Sequence, residues 1–367
     1  MTTLMQASRQ WATRPDDQRF TSLEEMLAHS RHQREISKSM TISSRRIEAR
    51  PVGDDDQRKS LAIIGPDEAP TVPTHWSFGQ LASRVQAPAG YLRKLPADIA
   101  ADCLNWGLTR RGIEDIGVLM RGEAGTIPEL AAATGPGYGR VWNETILEAL
   151  VNRFGDGITG DFTVPGEFGK RVDITTDNTT LFASDRDMFV FLADERNRIE
   201  VPGRRHGQPG ELSRGFFVWN SEVGSQSFGI ATFLFDYVCS NRIVWGAEGY
   251  EEIRIRHTSG APDRWIEEVA PAIEAYAHKS TASITKAIED ARAARIGDQD
   301  AVTEFLAKRF TKAKAEAISL AHFADEDKPI ETLWDAAVGI TAYARGVKWQ
   351  DERVALEREA GRIMAKA

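Results

Sequence analysis

Residues 214–246, RGFFVWNSEVGSQSFGIATFLFDYVCSNRIVWG, carry the clearest structural signal in the chain. Apolar, β-branched and aromatic runs are separated by short breaks of Gly, Ser and Asn, which is typical of strands joined by tight turns. Connections this short favour antiparallel pairing, because parallel strands need a crossover of about a dozen residues or more. Similar runs extend from about 160 to 257. The sequence therefore predicts an antiparallel β-rich centre.

Helical patterns precede this centre. Residues 22–35 predict a helix capped by Ser22, because a serine hydroxyl can accept from the free N–H groups of a first turn. Residues 74–108 predict three more helices, which begin at Ser77, Pro88 and Pro96. Proline in the first turn costs no hydrogen bond, so these prolines mark helix starts.

Extended segments lie between the helical ones. Thr41–Ile47 and Leu61–Ile64 predict a β-hairpin around a turn-rich middle, and the proline-rich stretch 65–73 predicts an extended linker. Residues 116–120 predict a strand. Asn143 is expected to cap the helix that follows it.

After Pro262 the chain is predicted to be helical to its end, with helices over 299–323, 331–345 and 350–365. This order of segments is typical of an α+β protein. We predict an antiparallel β-rich centre flanked by an N-terminal helix and hairpin region and a C-terminal helical region. The expected division is an arm over 1–73, an α+β core over 74–260 and helices over 261–367.

Composition narrows the class of protein. The 367 residues are 41% hydrophobic and 27% charged, close to an average soluble globular protein. Two cysteines cannot form a disulfide framework, so we expect a reducing cytoplasm. No apolar run approaches the roughly 18 residues of a membrane span, so no membrane association is expected. A net charge of −8 excludes a polycation, although the first 50 residues hold more basic than acidic groups.

No catalytic constellation is evident in the sequence. His29 and His32 are three residues apart on a predicted helix, but no third or fourth metal ligand accompanies them. Cys239 lacks an evident base, and Glu326-Asp327-Lys328 lies in the wrong context for a metal-dependent nuclease. We therefore assign no catalytic residue, no metal ligand and no cofactor.

One turn could bind phosphate. Residues 135–140, GPGYGR, lead into the helix near Asn143, and free N–H groups at a helix start attract anions. The turn is neither a P-loop nor a dinucleotide-binding fingerprint, and ordinary turn glycines are the alternative interpretation.

Arginines beside aromatic residues indicate contact with single-stranded nucleic acid, which needs cations for the backbone and rings on which bases stack. Such groups occur near Arg110 and Trp106, near Arg140 and Trp142, along 204–219 and along 237–256, and a cationic set lies at 308–314. Solvated faces with core aromatics behind them are the alternative. The residues predicted to bind nucleic acid are Arg140, Arg204, Arg205, Arg214, Arg254 and Arg256, with Tyr138 and Trp219 as stacking platforms.

Four blocks resemble one family. They are WSFGQLASRVQAPAGYLRKLPADIAADCLNWGL (76–108), GPGYGRVWNETILEAL (135–150), the 214–246 stretch with its NSEVG turn, and TLWDAAVGITAYARGVKWQDERVALEREAGRIM (332–364). In this order they are similar to phage/plasmid-like proteins of unknown function, of the domain of unknown function 932 type. The family's second block often begins with an Arg-Ala pair, whereas Ala131-Ala132-Ala133 precede the turn here.

The resemblance implies a role in the DNA metabolism of a mobile element or in dealing with its host, and no established reaction. The order of elements also resembles ring-forming single-strand annealing proteins. The leading hypothesis is a non-enzymatic, homo-oligomeric protein that binds or anneals single-stranded DNA. The alternatives are an interaction protein that blocks a host factor, with a host or phage protein as partner, and a metal-dependent nuclease.

Overall fold

A computed structural model describes residues 16–52, 61–66, 68–110, 114–165, 173–204, 207, 209–236, 241–243, 252–278, 280–347 and 350–366. Within these ranges the protein is α+β, with two sheets and a helical C-terminal region, as predicted.

The larger sheet has nine described strands, all paired antiparallel. Its central path is β1–β9–β10–β12–β13–β14, with β8 beside β10, β11 beside β12 and β15 beside β13. The strands are β1 (Arg19–Phe20), β8 (Phe162–Thr163), β9 (Leu181–Ala183), β10 (Met188–Asp194), β11 (Ile199–Val201), β12 (Gly210–Asn220), β13 (Phe228–Asp236), β14 (Asn241–Ile243) and β15 (Glu252–Ile255). Residues 221–227 join β12 to β13, and the antiparallel pairing of these strands confirms the predicted antiparallel centre.

The smaller sheet lies earlier in the chain and has the order β2–β6–β7–β5–β4–β3. Its strands are β2 (Ser37–Ser43), β3 (Glu48–Pro51), β4 (Leu61–Ile64), β5 (Pro70–Pro73), β6 (Asp115–Arg121) and β7 (Glu129–Thr134). The predicted hairpin is only partly right: Leu61–Ile64 forms β4, but its antiparallel partner is β3. The predicted first arm, Thr41–Ile47, instead holds the end of β2, which pairs with β6, and a 3-10 turn. The stretch 65–73 is only partly a linker, because β5 pairs with β4 and, in parallel, with β7.

The N-terminal helices largely follow the predictions. They are α1 (Leu23–Glu35), α2 (His75–Arg84), α3 (Ala89–Leu92), α4 (Ala97–Arg110) and α5 (Asn143–Phe154). Ser22 caps α1 as predicted, by accepting from the Glu25 N–H at 3.1 Å. Two predicted caps are wrong: Thr74 rather than Ser77 caps α2, and Asn143 is the first residue of α5 and not its cap. A short 3-10 turn, Ser44–Arg46, follows β2.

The C-terminal region is helical, as expected. It contains α6 (Ala261–Arg264), a π-helical turn (Trp265–Val269), α7 (Ala270–His278), α8 (Ala282–Ala293), α9 (Gln299–Ala307), α10 (Lys312–Glu326), α11 (Leu333–Arg345) and α12 (Gln350–Met364). The single helix predicted over 299–323 is two helices, because the chain turns before Thr311 caps α10.

Three large apolar clusters and one small cluster around Leu119 and Val223 form the described core. One face of the larger sheet packs against α1, α5 and the helical run 261–278. The end of β12 at Leu212, together with β11, packs against helices α8 to α12. The smaller sheet packs against α2, α3 and α4 in a cluster of its own. Strands β2 and β3 are therefore the edges of the smaller sheet among the described residues.

Candidate functional site

Two of the predicted DNA-contacting arginines lie in the interior. Arg214 on β12 donates from Nε to Asp194 Oδ2 at 3.0 Å and from its terminal nitrogens to the carbonyls of Tyr276 and Ala277, both at 3.1 Å. Its guanidinium also lies 5.4 Å from the Phe162 ring. The side chain holds the larger sheet to α7, so it does not reach solvent in this fold.

Arg204 has the same kind of environment. Its Nε donates to both carboxylate oxygens of Glu326, at 2.9 and 3.0 Å, and each side chain is 1% exposed. The guanidinium also lies 5.5 Å from the Trp334 ring. Glu326 ends α10 and is not in a solvated loop, so the pair joins the segment after β11 to the C-terminal helices. Burial leaves Arg204 no contact with an external phosphate.

The remaining predicted residues of the β-rich centre are dispersed. Arg254 on β15 is exposed and lies 5.8 Å from the ring of Trp219, which is buried in the larger sheet. A buried ring cannot serve as a stacking platform for a base. Arg256 is exposed, and Arg205 lies outside the described residues.

Tyr138 and Arg140 are brought together with residues that the sequence did not connect to them. The β12–β13 turn places Glu222 between Arg121 of β6, which donates to its carboxylate, and Arg140, which donates to its carbonyl. The Tyr138 hydroxyl donates to the Ser221 carbonyl at 2.7 Å. We call Arg121, Tyr138, Arg140, Asn143 and Glu222 the Glu222 junction.

The Glu222 junction accounts for residues 135–140, the turn that could bind phosphate according to the sequence. The first N–H of α5, from Asn143, donates to Glu222 Oε1 at 2.7 Å. An internal carboxylate therefore occupies the helix start that the sequence predicted as an anion site, and it interacts favourably with the helix dipole there. Residues 135–140 position this contact and are not available to an external phosphate through α5.

Cations outnumber carboxylates around the Glu222 junction. Burial, together with the positive charges of Arg121 and Arg34, lowers the pKa of Arg140. Arg34, at the end of α1, is exposed and stacks on the Trp142 ring at 3.9 Å. Arg121 and Arg140 thus contact Glu222, and Arg34 adds a third positive charge near Arg140. Of these three arginines only Arg34 is exposed.

His257 supports the junction from the other side. Its Nδ1–H donates to the Gly139 carbonyl at 3.0 Å, and its ring stacks on Tyr138 at 4.8 Å. Burial lowers the pKa of His257 to about 4, so the ring is neutral at neutral pH. A Cβ on Gly139 would lie 1.8 Å from the Thr258 carbonyl oxygen, so only glycine allows this close contact.

A second group of arginines is fully exposed. Arg110, at the end of α4, stacks at 4.1 Å on Trp106, which is 63% exposed. Arg45 and Arg46 follow β2 in the turn that packs against α4. None of these three arginines forms an ion pair with a described residue. We call Arg45, Arg46, Trp106 and Arg110 the α4 surface.

The sequence contained a signal for these cations. Residues 34–46, REISKSMTISSRR, hold four basic residues and one acidic residue in a chain of net charge −8. The stretch gave no aromatic neighbour in sequence, and the pairing of Arg34 with Trp142 depends on tertiary contact. Proximity in sequence therefore identified the Arg110–Trp106 pair but not the Arg34–Trp142 pair.

A cleft of about 380 Å³ lies between α1, the β6–β7 hairpin and the β9–β10 turn. His29 lines it, and burial holds the pKa of His29 below its usual value. His32 is paired with Glu123 at 2.7 Å. The carboxylates at the cleft are Asp17, Glu123, Glu129 and Asp185. They outnumber its one arginine, Arg121, which Glu222 already neutralises, so the cleft does not attract a phosphate.

No group of three His, Cys, Asp or Glu side chains among the described residues could hold a metal ion. No helix among those residues is long and apolar enough to cross a membrane. Cys239 lies outside the described residues.

Fold and site together define an α+β protein in which a large antiparallel sheet is joined, through a buried arginine–glutamate junction, to a smaller sheet with exposed arginines. The chain belongs to a family described as a domain of unknown function (DUF932), whose model matches residues 172–361, just over half of the chain. The predicted family resemblance is confirmed. No curated protein and no solved structure matches the chain.

Proposed function

We propose that this protein binds single-stranded DNA without cleaving it, through exposed arginines of the N-terminal region. The single observation that carries the proposal is the Arg110–Trp106 stack, which is open to solvent and flanked by Arg45 and Arg46. Guanidinium groups hold phosphates, and an exposed indole offers a face on which a base can stack. This arrangement differs from the predicted one, in which the buried Arg204 and Arg214 were two of the six contacting arginines.

The distribution of charge supports DNA contact in the N-terminal region. The chain carries −8 overall, so a nucleic acid is repelled by most of its surface and attracted only where cations concentrate. Arg34, Lys38, Arg45 and Arg46 concentrate around β2, and the buried cations of the Glu222 junction add to the local positive field. The expected contacts are therefore Arg34, Arg45, Arg46, Arg110 and Trp106, with Tyr138 and Arg140 in supporting positions.

Salt dependence tests the proposal. For single strands the slope of log K against log salt is about −0.7 for each neutralised phosphate. Four arginines predict a slope near −3, and each Arg→Ala change should make it shallower by about 0.7. Arg295→Ala is the matched control, because Arg295 is 69% exposed in its side chain and pairs with Glu331 in the C-terminal region. No binding of a labelled oligonucleotide at micromolar protein and low salt contradicts the proposal.

The proposal includes self-assembly and a place in the DNA metabolism of a mobile element, in the cytoplasm of a bacterial host. Mass photometry with and without oligonucleotide tests the assembly, because it reports subunit number and ligand together. A single species of monomer mass in both conditions contradicts the homo-oligomer.

A second candidate is an interaction protein. Tyr91 on α3 is 61% exposed, and Ile99 and Trp106 lie about two turns apart on α4, where Ile99 is 46% exposed. Exposed aromatic and aliphatic side chains of this kind are frequent in protein interfaces. Tyr91→Ala and Ile99→Ala should leave DNA binding unchanged if the first proposal holds. Loss of a protein partner with both variants, in the absence of any DNA binding, supports the second.

A further inference from the structure

We infer that two copies of this chain pair through strand β2, which forms one edge of the smaller sheet among the described residues. The two β2 strands run antiparallel about a two-fold axis at Met40, so that the two smaller sheets become one continuous sheet. This inference deepens the self-assembly that the proposed function includes, because it names the surface that joins the copies.

The other edge of the smaller sheet, β3, is protected. The Asn105 side chain of α4 accepts from the Ala49 N–H at 2.7 Å and donates to the Ala49 carbonyl at 2.8 Å. Strand β3 is also only four residues long and ends at Pro51. Short strands, prolines and covering groups keep an edge from pairing with another chain. The β3 edge is therefore closed to a second copy.

Strand β2 lacks this protection. It spans seven residues without a proline, and among the residues that the structure describes it pairs only with β6, in regular register. Ser39 and Thr41 in the middle of the strand are exposed. A regular edge of this length offers its outer backbone groups as a template for another strand.

The hydrogen bonds to β6 show which backbone groups of β2 point outward. The Ser44 N–H donates to the Glu114 carbonyl at 2.7 Å, and the Gly122 N–H donates to the Ile36 carbonyl at 3.2 Å. Hydrogen-bonded pairs alternate along an antiparallel ladder, so the even-numbered residues of β2 bond to β6. The odd-numbered residues therefore direct their N–H and carbonyl groups away from β6; they are Ser37, Ser39, Thr41 and Ser43.

These outward groups are self-complementary. In an antiparallel pair centred on Met40, all four outward residues find a partner in the second copy. The pairs are Ser37 with Ser43 and Ser39 with Thr41, each formed twice by the two-fold symmetry. Their hydroxyl side chains lie opposite one another on one face, and such cross-strand pairs stabilise antiparallel strands. A second copy is therefore an occupant that fits this edge over its whole length.

Charges along β2 agree with this register. Lys38, the only charged residue of the strand, lies opposite Ile42 of the second copy and not opposite the equivalent lysine. Like charges directly opposite one another would destabilise the pair. Beyond the paired strands, Arg45 and Arg46 lie at the same end as Arg34 of the second copy, and each chain carries −8 overall. Salt should therefore tighten the pair by screening these repulsions, whereas it weakens DNA binding.

The first test locates the two-fold axis by disulfide formation in the Cys103→Ser background, which removes the exposed free cysteine. Two Met40 residues form a non-hydrogen-bonded pair with Cα atoms about 4.5 Å apart, within the range of a disulfide. Two Lys38 residues are offset by four strand positions, about 13 Å along the strand. Met40→Cys should therefore form at least fivefold more disulfide-linked dimer under mild oxidation than the matched control Lys38→Cys. Equal cross-linking of the two variants would overturn this register.

The second test removes one outward hydrogen bond and leaves the bonds to β6 in place. Thr41→Pro deletes an N–H that points outward, a position at which an edge strand tolerates proline. Sedimentation velocity of the full chain should give a dimer dissociation constant at least tenfold higher for Thr41→Pro. The matched control Thr41→Val keeps the N–H and should change the constant less than threefold. Thermal melting verifies that both variants are folded.

The outcomes separate the pairing from DNA binding, which a labelled oligonucleotide measures on the same proteins. Wild type that stays monomeric with and without oligonucleotide, or a dimer that Thr41→Pro leaves unchanged, would overturn the β2 pairing. DNA binding by a monomer would leave the DNA contact of the proposed function standing. A dimer that responds to both tests without binding DNA would support the β2 pairing, and the proposed DNA binding would fail.

Discussion

Buried and exposed arginines of this protein both contact aromatic rings, but they differ in whether a carboxylate pairs with them. Arg204 and Arg110 both lie over a tryptophan ring, at 5.5 and 4.1 Å. Arg204 also binds a carboxylate 122 residues away in sequence, whereas Arg110 forms no ion pair with a described residue. An arginine near an aromatic ring therefore does not indicate ligand binding. The distant carboxylate decides whether the cation is structural.

The largest expected effect tests the buried side of this comparison. Arg204→Met should lower the free energy of unfolding by about 3–5 kcal/mol, because it leaves the Glu326 carboxylate buried without its guanidinium. Urea unfolding followed by circular dichroism measures the change. Arg295→Met, at an exposed ion pair, is the control and should cost less than about 1 kcal/mol. A loss below 1 kcal/mol for Arg204→Met would contradict a structural role.

The variant Glu222→Gln tests the structural role of the Glu222 junction. The amide keeps the shape of the side chain but no longer neutralises Arg121, so we expect a loss of about 2 kcal/mol in unfolding free energy. Oligonucleotide affinity should not fall, because the local positive field becomes stronger. Glu211→Gln, at the exposed pair with Arg198, is the matched control. Equal stability losses for the two variants would count against the junction as a structural link.

The comparison extends to the histidines. Burial lowers the pKa of His322 to about 4, from an ordinary value of 6.5, so protonation favours the unfolded chain. The stability that neutral His322 contributes is therefore present above pH 6.5 and is lost as the pH falls toward 4. Between pH 6.5 and 5 the free energy of unfolding should fall by roughly 1.5 kcal/mol. Unfolding curves of wild type and His322→Met across this range measure it. The variant should lose less stability than wild type on acidification.

The smallest expected effect concerns the exposed arginines. Arg34→Ala and Arg110→Ala should change the unfolding free energy by less than about 0.5 kcal/mol, because no buried group loses a partner. The same urea titrations measure both variants. A loss above 2 kcal/mol would assign these residues to the structure and remove them from the proposed interface.

Regular segments were predictable because local patterns determine them. The alternation around 214–246 indicated β12 and β13, and Ser22 marked the start of α1. Strand β7 was not predicted, since its alanine-rich sequence has no β-branched pattern and its pairing with β5 and β6 depends on tertiary contact. Helix starts that depend on a distant group were also missed, as at Asn143, where Glu222 supplies the acceptor.

The candidate site was less predictable than the fold. Tyr138 and Arg140 were singled out correctly as neighbours, but their partner Glu222 lies some 80 residues away and gave no local signal. Burial of Arg214 follows from its partner Asp194 on the adjacent strand β10, a register that the sequence did not show. Among the exposed cations, Arg110 was indicated by its closeness to Trp106, and Arg34, Arg45 and Arg46 only by the basic composition of 34–46.

The most direct measurement is fluorescence anisotropy of a labelled single-stranded oligonucleotide titrated, at low salt, with wild type and the quadruple variant Arg34→Ala/Arg45→Ala/Arg46→Ala/Arg110→Ala. The account predicts that wild type binds at micromolar concentration or below, and that the quadruple variant, folded to the same melting temperature, binds at least a hundredfold more weakly. Equal binding by the two proteins, or none by wild type, would contradict it.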